Sequence, residues 1–378
     1  MNSFESKTDP KNLVILKKAL INSRILDWGS DYNKNAGITF KNLKFILDYW
    51  KNEFSWKDQE RELNKYNQIK IKINGISTHF LHVKSPQKNA IPLLLIHGWP
   101  GSIFEFFDLI PLLTNPDDNN LKDHQAFDLI IPSLPNVGYS FELDQKPIDL
   151  NQIALNFIKL MKILDYKKYF IQGGDLGAFI ASIMATKNPV NIYGIHLNLL
   201  PLPRGLHKSP SNVQEERYYK KLKKWIHYET GYQQIQGTKP FTLAHALNSS
   251  PVALCAYISE KFYSWTDNDG DLFSKINLDK MLANITLYWL TGCIGASFWP
   301  YYARHRSDWP ISSDNPILVP MAYSEFPKEI FSPPISLASQ YYKQISFWGE
   351  HKSGGHFAAM EKPRELATDI DKFIKILL

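Results

Sequence analysis

The chain has 378 residues, of which 44% are hydrophobic and 21% charged, and this ordinary globular composition excludes a disordered or fibrous protein. Its net charge of +6 comes from basic residues dispersed along the chain, so we expect no nucleic-acid partner. Cys255 and Cys293 both stand in apolar, helix-like surroundings, which favours buried free thiols over a disulfide.

The N-terminal residues 1–10 are polar and lack the apolar segment of a secretory signal. No stretch approaches the roughly 20 apolar residues that a membrane-spanning helix needs. Together with the unpaired cysteines, these features predict a soluble, cytoplasmic protein without a transmembrane anchor.

The first elements in the chain are predicted to be helices that precede any strand. Residues 11–29 and 38–55 carry apolar side chains at helical spacing, and a charged helical segment covers 56–64. Residues 66–83 then alternate apolar and polar side chains on both sides of Asn74-Gly75, a dipeptide typical of two-residue hairpin turns. Residues 1–85 are therefore interpreted as an N-terminal helical meander that leads into a hairpin.

Residues 86–200 alternate buried strand runs with helical patterns. The strand runs are 92–96, 127–132, 168–172 and 191–199, and the helical patterns are 148–164 and 176–187. This alternation predicts an α/β fold with a mostly parallel, doubly wound sheet, in which ligands bind at the carboxyl ends of the strands.

A glycine-rich loop, His97-Gly98-Trp99-Pro100-Gly101-Ser102, follows the first of these strands. A loop of this kind can direct backbone N–H groups at a developing negative charge. An ordinary turn, with Ser102 capping the next helix, explains the same residues.

An acid stands between glycines in Gly173-Gly174-Asp175-Leu176-Gly177, where the strand run 168–172 turns into the next helix. Small residues flank the reactive position of a nucleophile elbow because its backbone is strained and the helix packs close to the strand. Asp175 is therefore a candidate nucleophile, although an Asp at this point also suits an ordinary helix N-cap.

Residues 201–313 show only helical patterns rich in aromatic side chains, as expected for a helical lid over the strand ends. Residues 314–378 return to the core, with strand runs at 316–320 and 344–348 and a closing amphipathic helix at 363–378. His356 follows the last strand on a Gly-Gly loop.

The order of Asp175, an acid after the penultimate strand, and His356 is the order of nucleophile, acid and histidine in α/β-hydrolases. Glu325 and Glu329 both stand where the acid belongs, and the spacing alone leaves the choice open. Such a set supplies a nucleophile, a base and a group that orients the base.

Ten motifs spread over nearly the whole chain occur in the order found in one enzyme family. They are Tyr49-Trp50, Phe54-Ser55-Trp56-Lys57-Asp58-Gln59-Glu60, Leu63-Asn64, His97-Gly98-Trp99-Pro100-Gly101-Ser102, Gly173-Gly174-Asp175-Leu176-Gly177, Gly231-Tyr232, Thr238-Lys239-Pro240, Ala246-Leu247-Asn248-Ser249-Ser250-Pro251, Phe326-Pro327-Lys328-Glu329 and Gly354-Gly355-His356-Phe357-Ala358-Ala359. On these residues the chain resembles the epoxide hydrolases of the microsomal type, which join an N-terminal epoxide-hydrolase meander to an α/β-hydrolase domain.

The resemblance implies that Asp175 is the nucleophile, Glu329 the acid that orients the base, and His356 the general base. It favours Glu329 over Glu325 because the family places its acid two residues after a Phe-Pro pair. The membrane anchor of the animal enzymes has no counterpart in this sequence, which is consistent with the expectation of a soluble form.

The resemblance also implies two lid tyrosines, Tyr232 and Tyr301, as proton donors to the epoxide oxygen, with Tyr302 left open as the alternative to Tyr301. The backbone N–H groups of Trp99 and Leu176 are expected to form the oxyanion hole. At position 176 many family members carry Trp, so Leu176 implies a roomier pocket wall.

The expected reaction converts an epoxide to a vicinal diol through an ester on Asp175, which water activated by His356 then hydrolyses. The implied partners are a small apolar epoxide and water, without cofactor or metal, in detoxification or aromatic hydrocarbon catabolism, with a homodimer as the assembly. The alternatives are a haloalkane dehalogenase-like hydrolase, which needs halide-binding Trp or Asn donors near the elbow, or a non-epoxide α/β-hydrolase such as an esterase, which needs Ser at position 175.

Overall fold

One sheet of nine strands organises the residues described by the structure, a computed structural model that covers 3–203 and 209–378. In spatial order the strands are β1-β2-β3-β5-β4-β6-β7-β8-β9. Their bounds are β1 (Ser3–Phe4), β2 (Gln68–Ile73), β3 (Ile76–Val83), β4 (Ile91–Ile96), β5 (Phe127–Pro132), β6 (Tyr169–Gly173), β7 (Ile192–Leu197), β8 (Ile317–Glu325) and β9 (Tyr342–Glu350).

In spatial order, the strands from β5 to β9 run parallel to one another. The pairs β1–β2, β2–β3 and β3–β5 are antiparallel. Side chains of the central strand β4 alternate between two apolar cores: Leu94 and Ile96 pack with α5 and α6, whereas Leu93 and Leu95 pack with α4 and α16. Both faces are therefore covered, which confirms the predicted mostly parallel, doubly wound sheet.

Helices occupy most connections between strands, and the described part of residues 201–313 consists of helices and the turns and loops that join them, without a strand. Residues 204–208 of the predicted lid lie outside the described residues. The helices are α1 (Pro10–Ile21), α2 (Phe40–Asn52), α3 (Trp56–Leu63), α4 (Ile110–Thr114), α5 (Leu150–Ile163), α6 (Asp175–Lys187), α7 (Val213–Glu229), α8 (Gly231–Thr238), α9 (Pro240–Ser249), α10 (Pro251–Trp265), α11 (Leu278–Thr291), α12 (Ile294–Ser297), α13 (Trp299–Arg304), α14 (Ile335–Ala338), α15 (Ala358–Glu361) and α16 (Pro363–Leu377).

The predicted hairpin is confirmed. Strands β2 and β3 pair up to Ile73 opposite Ile76, and both turn residues have positive φ, 52° at Asn74 and 81° at Gly75. Asn and Gly tolerate this left-handed backbone, which matches the twist of the two strands.

Two predictions for the N-terminal region are wrong. The helix expected over 11–29 ends at Ile21, and the apolar side chains of Leu26 and Trp28 beyond it are 57% and 72% exposed, so their spacing did not mark a core-facing helix. A strand does precede the helices, because Ser3 and Phe4 pair with Ile69 and Gln68. A two-residue strand is too short to carry a periodic signal.

Strands β8 and β9 are longer than the predicted 316–320 and 344–348. In β8 the predicted run stops at Pro320, yet the strand continues through Met321, Ala322 and Tyr323 to Glu325. A register shift between Ile317 and Pro320 accommodates the proline, which has no N–H to donate. Further on, the buried hydroxyl of Ser324 donates to Asp369 at 2.7 Å, so a polar residue is satisfied inside the sheet.

The fold brings the carboxyl ends of β4, β6, β8 and β9 to one edge of the sheet, since these strands run in parallel. The segments that follow them carry Trp99, Asp175, Glu329 and His356, respectively. Helices α8, α10 and α13 contribute side chains that contact these segments. The division of the chain at residues 86, 201 and 314 stays a prediction.

The helices of the described residues differ in length and apolar character. No single helix there combines the length and apolar character that crossing a membrane requires, and α11 with the segment Ile294–Arg304 qualifies only as a bent pair, on length and composition alone.

Gly177 allows α6 to pack directly on β4, which leads to a stability prediction. A Cβ at this position would lie 2.0 Å from the Ile96 carbonyl oxygen, a backbone atom that cannot move aside. We expect Gly177→Ala to lower the free energy of unfolding by about 1–3 kcal/mol, as for other overpacked sites, measured by urea denaturation.

The matched control is Gly231→Ala, because a Cβ there meets nothing within 4 Å. This substitution should leave stability unchanged or raise it by up to about 1 kcal/mol through helix propensity. Equal unfolding free energies for the two variants would contradict the packing argument.

Candidate active site

Asp175 occupies the sharp turn between β6 and α6. Its φ of 47° lies in the left-handed region, which non-glycine residues rarely adopt. The N-cap of α6 is Gly174, and no side chain caps this helix. Asp175 Oδ1 instead accepts a hydrogen bond from the Trp99 N–H at 2.8 Å, so the alternative interpretation of Asp175 as an ordinary N-cap is wrong.

The loop after β4 closes over Asp175 because Gly98 has no side chain. A Cβ on Gly98 would lie 2.3 Å from the Cβ of Asp175. This close approach is what places the next N–H, that of Trp99, on the carboxylate. Ser102 does cap the short 3₁₀ helix Ile103–Phe106, so the loop is both a capped turn and a donor to Asp175.

The buried ring of His97 stabilises this loop by hydrogen bonds to backbone groups. The ring is fully buried, and its Nε2 accepts from the Leu134 N–H at 3.1 Å while Nδ1 lies 2.9 Å from the Gly98 carbonyl oxygen. Burial lowers the pKa of His97 to about 4, more than the Gly98 carbonyl and Asp175 raise it. His97 is thus neutral at physiological pH and donates from Nδ1 to the carbonyl.

The second expected oxyanion donor is the N–H of Leu176, the residue directly after Asp175 in α6. The Leu176 side chain is buried in the apolar core. Its role as an N–H donor stays a prediction.

His356 lies between two carboxylates. Its Nδ1 is 2.7 Å from Glu329 Oε1, and its Nε2 is 3.5 Å from Asp175 Oδ2. Glu325 does not reach the histidine, because its Oε2 accepts from the Trp348 indole N–H at 3.1 Å. Of the two acids that the sequence left in competition, the structure therefore brings Glu329 to His356.

The two carboxylates control the protonation of His356. Burial alone lowers the pKa of this imidazole, but the charges of Glu329 and Asp175 and their hydrogen bonds outweigh burial and raise it well above its ordinary value. With both carboxylates ionised, the ring is an imidazolium at neutral pH.

The loop that carries His356 is held by residues of the predicted lid to which the sequence analysis gave no role. The His356 N–H donates to the Trp265 carbonyl at 2.8 Å, and the Gly354 N–H donates to Asp267 Oδ2 at 2.8 Å. The backbone N–H of Asp267 in turn donates to Glu361 Oε2 at 2.8 Å. Long-range backbone contacts of this kind leave no periodic or motif signal in the sequence.

Tyr232 of α8 and Tyr301 of α13 are buried side by side, with ring centroids 5.8 Å apart. Both rings contact the indole of Trp99, at 5.5 Å and 5.7 Å. Burial, and then the charge of Asp175, raise the pKa of both phenols well above the ordinary value. Both hydroxyls are therefore protonated and able to donate.

The side chain of Tyr302, the alternative to Tyr301, contacts Trp299 and Arg306. Its ring stacks on Trp299 at 5.0 Å, and the guanidinium of Arg306 lies 3.5 Å from the ring centroid. Of these two neighbours in α13, the structure brings Tyr301 to Tyr232.

Within residues 3–203 and 209–378, no group of three or more His, Cys, Asp or Glu side chains is arranged to hold a metal ion. The site brings together the carboxylates of Asp175 and Glu329, the imidazole of His356 and two phenols.

Comparisons with known proteins find similar sequences and a similar fold. Residues 1–106 match the family model described as epoxide hydrolase N terminus, and residues 91–250 match the model described as alpha/beta hydrolase fold. Epoxide hydrolase 1 of Sus scrofa is 35% identical over 99% of this chain and 88% of its own length. Epoxide hydrolase 1 of Oryctolagus cuniculus is 39% identical over 90% of this chain and 81% of its own length.

A solved structure of Aspergillus niger epoxide hydrolase superposes with a TM-score of 0.86 at 30% identity, covering 100% of this chain and 96% of that one. The resemblance and the α/β-hydrolase fold expected from the sequence are confirmed by these matches.

The contact between His356 and Asp175 leads to a prediction about protonation. Asp175→Asn removes a negative charge 3.5 Å from Nε2, and with it one of the two causes that raise the imidazole pKa. We expect the pKa of His356 to fall in this variant, measured by a pH titration of the ring signals by NMR.

Glu325→Gln is the control, since Glu325 bonds to Trp348 and not to the histidine. It should leave the His356 pKa where it is in the wild type. A pKa that shifts in the control but not in Asp175→Asn would contradict the geometry.

Proposed function

Since the chain belongs to the epoxide hydrolase family and is an epoxide hydrolase, we propose that it forms a covalent ester between Asp175 and the epoxide carbon and then hydrolyses this ester to a vicinal diol. The observation that carries the proposal is the placement of the Asp175 carboxylate. Oδ1 is bound by the Trp99 N–H, and Oδ2 faces His356, which is bound to Glu329 on its other side.

Ring opening begins with Asp175 Oδ2, the oxygen not bound by Trp99. Its attack on carbon breaks the strained C–O bond and leaves an alkoxide. A carboxylate nucleophile gives an ester, which water can cleave, whereas a serine would give an ether that water cannot easily cleave.

Tyr232 and Tyr301 are the donors to the epoxide oxygen in this proposal. Their raised pKa values keep the hydroxyls protonated before the reaction. As negative charge develops on the oxygen, the two phenols stabilise it by hydrogen bonding and one of them protonates it. The leaving group is then a neutral hydroxyl.

Ester formation converts His356 into a base. Once Asp175 is esterified, its negative charge is gone, and one of the two carboxylates that raise the pKa of His356 no longer acts. The imidazolium gives up a proton, which restores the tyrosine hydroxyl, and the neutral ring takes a proton from the attacking water.

Water attacks the ester carbonyl carbon, and the tetrahedral oxyanion forms on Oδ1, at the Trp99 N–H with the Leu176 N–H as the second donor. Collapse of this intermediate breaks the ester C–O bond, and the leaving diol oxygen takes the proton of the hydroxyl that water added. The Asp175 carboxylate is restored, and the imidazolium formed on deprotonating the water remains. Glu329 stabilises the ring whenever it is positively charged.

The proposed substrate is a small apolar epoxide. The aromatic rings of Trp99, Tyr232, Tyr301 and Trp265 contact one another, and Trp265 contacts His356. Aromatic surroundings of this kind favour apolar or aromatic ligands. Detoxification and aromatic hydrocarbon catabolism are roles in which such epoxides arise, and we propose these roles for the enzyme.

A cytoplasmic location belongs to the same proposal, supported by Cys255 and Cys293, which are buried and unpaired. A homodimer is proposed as the assembly, supported by the exposed apolar side chains of Ile15, Leu26 and Trp28 near the N-terminus, which are 57%, 57% and 72% exposed.

A single turnover in ¹⁸O-labelled water tests the covalent route. With enzyme in excess over styrene oxide, the first diol should be unlabelled, because its second oxygen comes from Asp175, and the label should enter the carboxylate. Mass spectrometry of the diol and of the peptide containing Asp175 measures both. Label in the first diol would refute the ester mechanism.

Asp175→Ala is the control for that experiment. It should retain the fold, judged by circular dichroism, and incorporate no label into the peptide while turnover is abolished. Turnover at the wild-type rate would show that Asp175 is not the nucleophile.

The lid tyrosines generate a separate prediction. Tyr232→Phe and Tyr301→Phe should each slow ester formation by about 10- to 100-fold, since each removes one of two donors to the same oxygen. Rapid mixing with styrene oxide measures this step. Tyr302→Phe is the matched control and should react at the wild-type rate, because its ring faces Trp299 and Arg306.

A further inference from the structure

A buried lysine lies close to the ring of Tyr232, one of the two proposed proton donors. Lys261 of α10 is only 6% exposed, which is rare for a lysine. Its ammonium forms an ion pair with the carboxylate of Glu260. Glu260 is itself fixed by the hydroxyl of Ser264, which donates to its Oε1 at 2.8 Å.

The ammonium of Lys261 faces aromatic rings on its other side. Nζ lies 4.6 Å from the centroid of the Tyr232 ring, 5.6 Å from that of Trp265 and 6.0 Å from that of Tyr257. These distances are within the range of cation–π attraction. The closest of the three rings belongs to a proposed proton donor.

Stability does not explain a charge at this position. A buried ion pair usually contributes no more than apolar side chains of similar volume would, because desolvating the charges offsets their attraction. The neighbouring positions Ile258, Phe262 and Trp265 of the same helix face are apolar and buried. A methionine at position 261 would fit this surface without a desolvated charge.

We propose that Lys261 is a positioning residue of the ring-opening step, whose charge stabilises the negative charge that Tyr232 acquires as it protonates the epoxide oxygen. This inference rests on the proposed function. As Asp175 bonds to carbon, the C–O bond breaks, the oxygen takes the Tyr232 proton, and the phenolate lies against the ammonium until the proton from His356 restores the hydroxyl.

Other charged and polar groups face Tyr232 as well. The carboxylate of Asp175 disfavours the phenolate, whereas Arg304, the Tyr301 hydroxyl and the Gln233 amide favour it. Gln233 Nε2 donates to the Tyr232 oxygen at 2.9 Å. Lys261 differs from these groups because it acts on the face of the ring and does not bond to its oxygen.

The experiment compares ester formation and ester hydrolysis in single turnovers of the full-length wild type, Lys261→Met and Lys261→Arg. The substrates are terminal epoxides whose alkoxides differ in basicity. Lys261→Met should slow ester formation by about 10-fold, at the lower limit of the loss expected on removing one of the two phenol donors. Ester hydrolysis should change by less than about threefold, because Tyr232 is again a neutral phenol in that step.

Two further signatures separate a charge effect from a structural one. Lys261→Arg should retain ester formation within about threefold of the wild type, because the charge is kept. The slowing in Lys261→Met should grow with the basicity of the alkoxide, since more proton transfer then occurs in the transition state. Lys280→Met is the matched control, because Lys280 pairs with Asp108 in a partly buried ion pair, and it should behave as the wild type.

The inference is overturned if Lys261→Met forms the ester at the wild-type rate, if both steps slow equally, or if Lys261→Arg is as slow as Lys261→Met. If Lys261→Met does not fold, Glu260→Gln is used instead, because it leaves the charge of Lys261 without its carboxylate partner. This variant should form the ester at least as fast as the wild type, and slower ester formation would overturn the inference. A wild type that forms no ester would instead refute the proposed function itself.

Discussion

The imidazole of His356 between the carboxylates of Glu329 and Asp175 is the interaction on which the rest of the site depends. Neither carboxylate is near the histidine in sequence, and each comes from the end of a different strand of the parallel sheet. The arrangement requires a tight turn after β6, which the left-handed backbone of Asp175 provides. It also requires a fixed loop after β9, which the Trp265 carbonyl and Asp267 provide from the lid side. Residues of the predicted lid thus help to hold the loop that carries His356.

Much of this could be predicted from the sequence because the signals are local. Some features require particular residue types at their own positions, because of the backbone conformation, the burial or the close packing there. These are the turn at Asn74-Gly75, the apolar runs of β4 and β5, and the glycines around Asp175. The family resemblance favours Glu329 over Glu325, and the contacts of the two side chains agree with that choice. Glu325 still belongs to β8 and bonds to Trp348, whereas Glu329 follows the strand end and can turn back to His356.

The remaining features depend on contacts between distant parts of the chain. The two-residue strand Ser3–Phe4 exists only because β2 offers an edge to pair with. At the end of β8, the hydroxyl of Ser324 donates to Asp369 and the carboxylate of Glu325 accepts from Trp348. Tyr301 and Tyr302 are neighbours in one short helix, so their roles differ only by the direction in which the helix presents them. Lys261 could have been noticed as the one basic side chain on an apolar helix face of α10, but what it faces follows only from the packing of that helix on α8.

The charge of Asp175 links the two halves of the proposed reaction. Glu329 and the ionised Asp175 raise the pKa of His356, and burial together with Asp175 raises the pKa of both lid phenols. In the proposed reaction the ionised nucleophile therefore favours the protonated forms of the histidine and of the tyrosines. Ester formation removes this charge. The phenols then lose the negative charge of Asp175, which opposed their ionisation, at the moment when the alkoxide needs a proton. The imidazole loses the same charge, which favoured its protonated form, just before water must be activated. One change of charge at the elbow therefore favours both proton transfers in the order in which they are needed, and this requires the nucleophile itself to be the ionised group, as a carboxylate is and a serine hydroxyl is not.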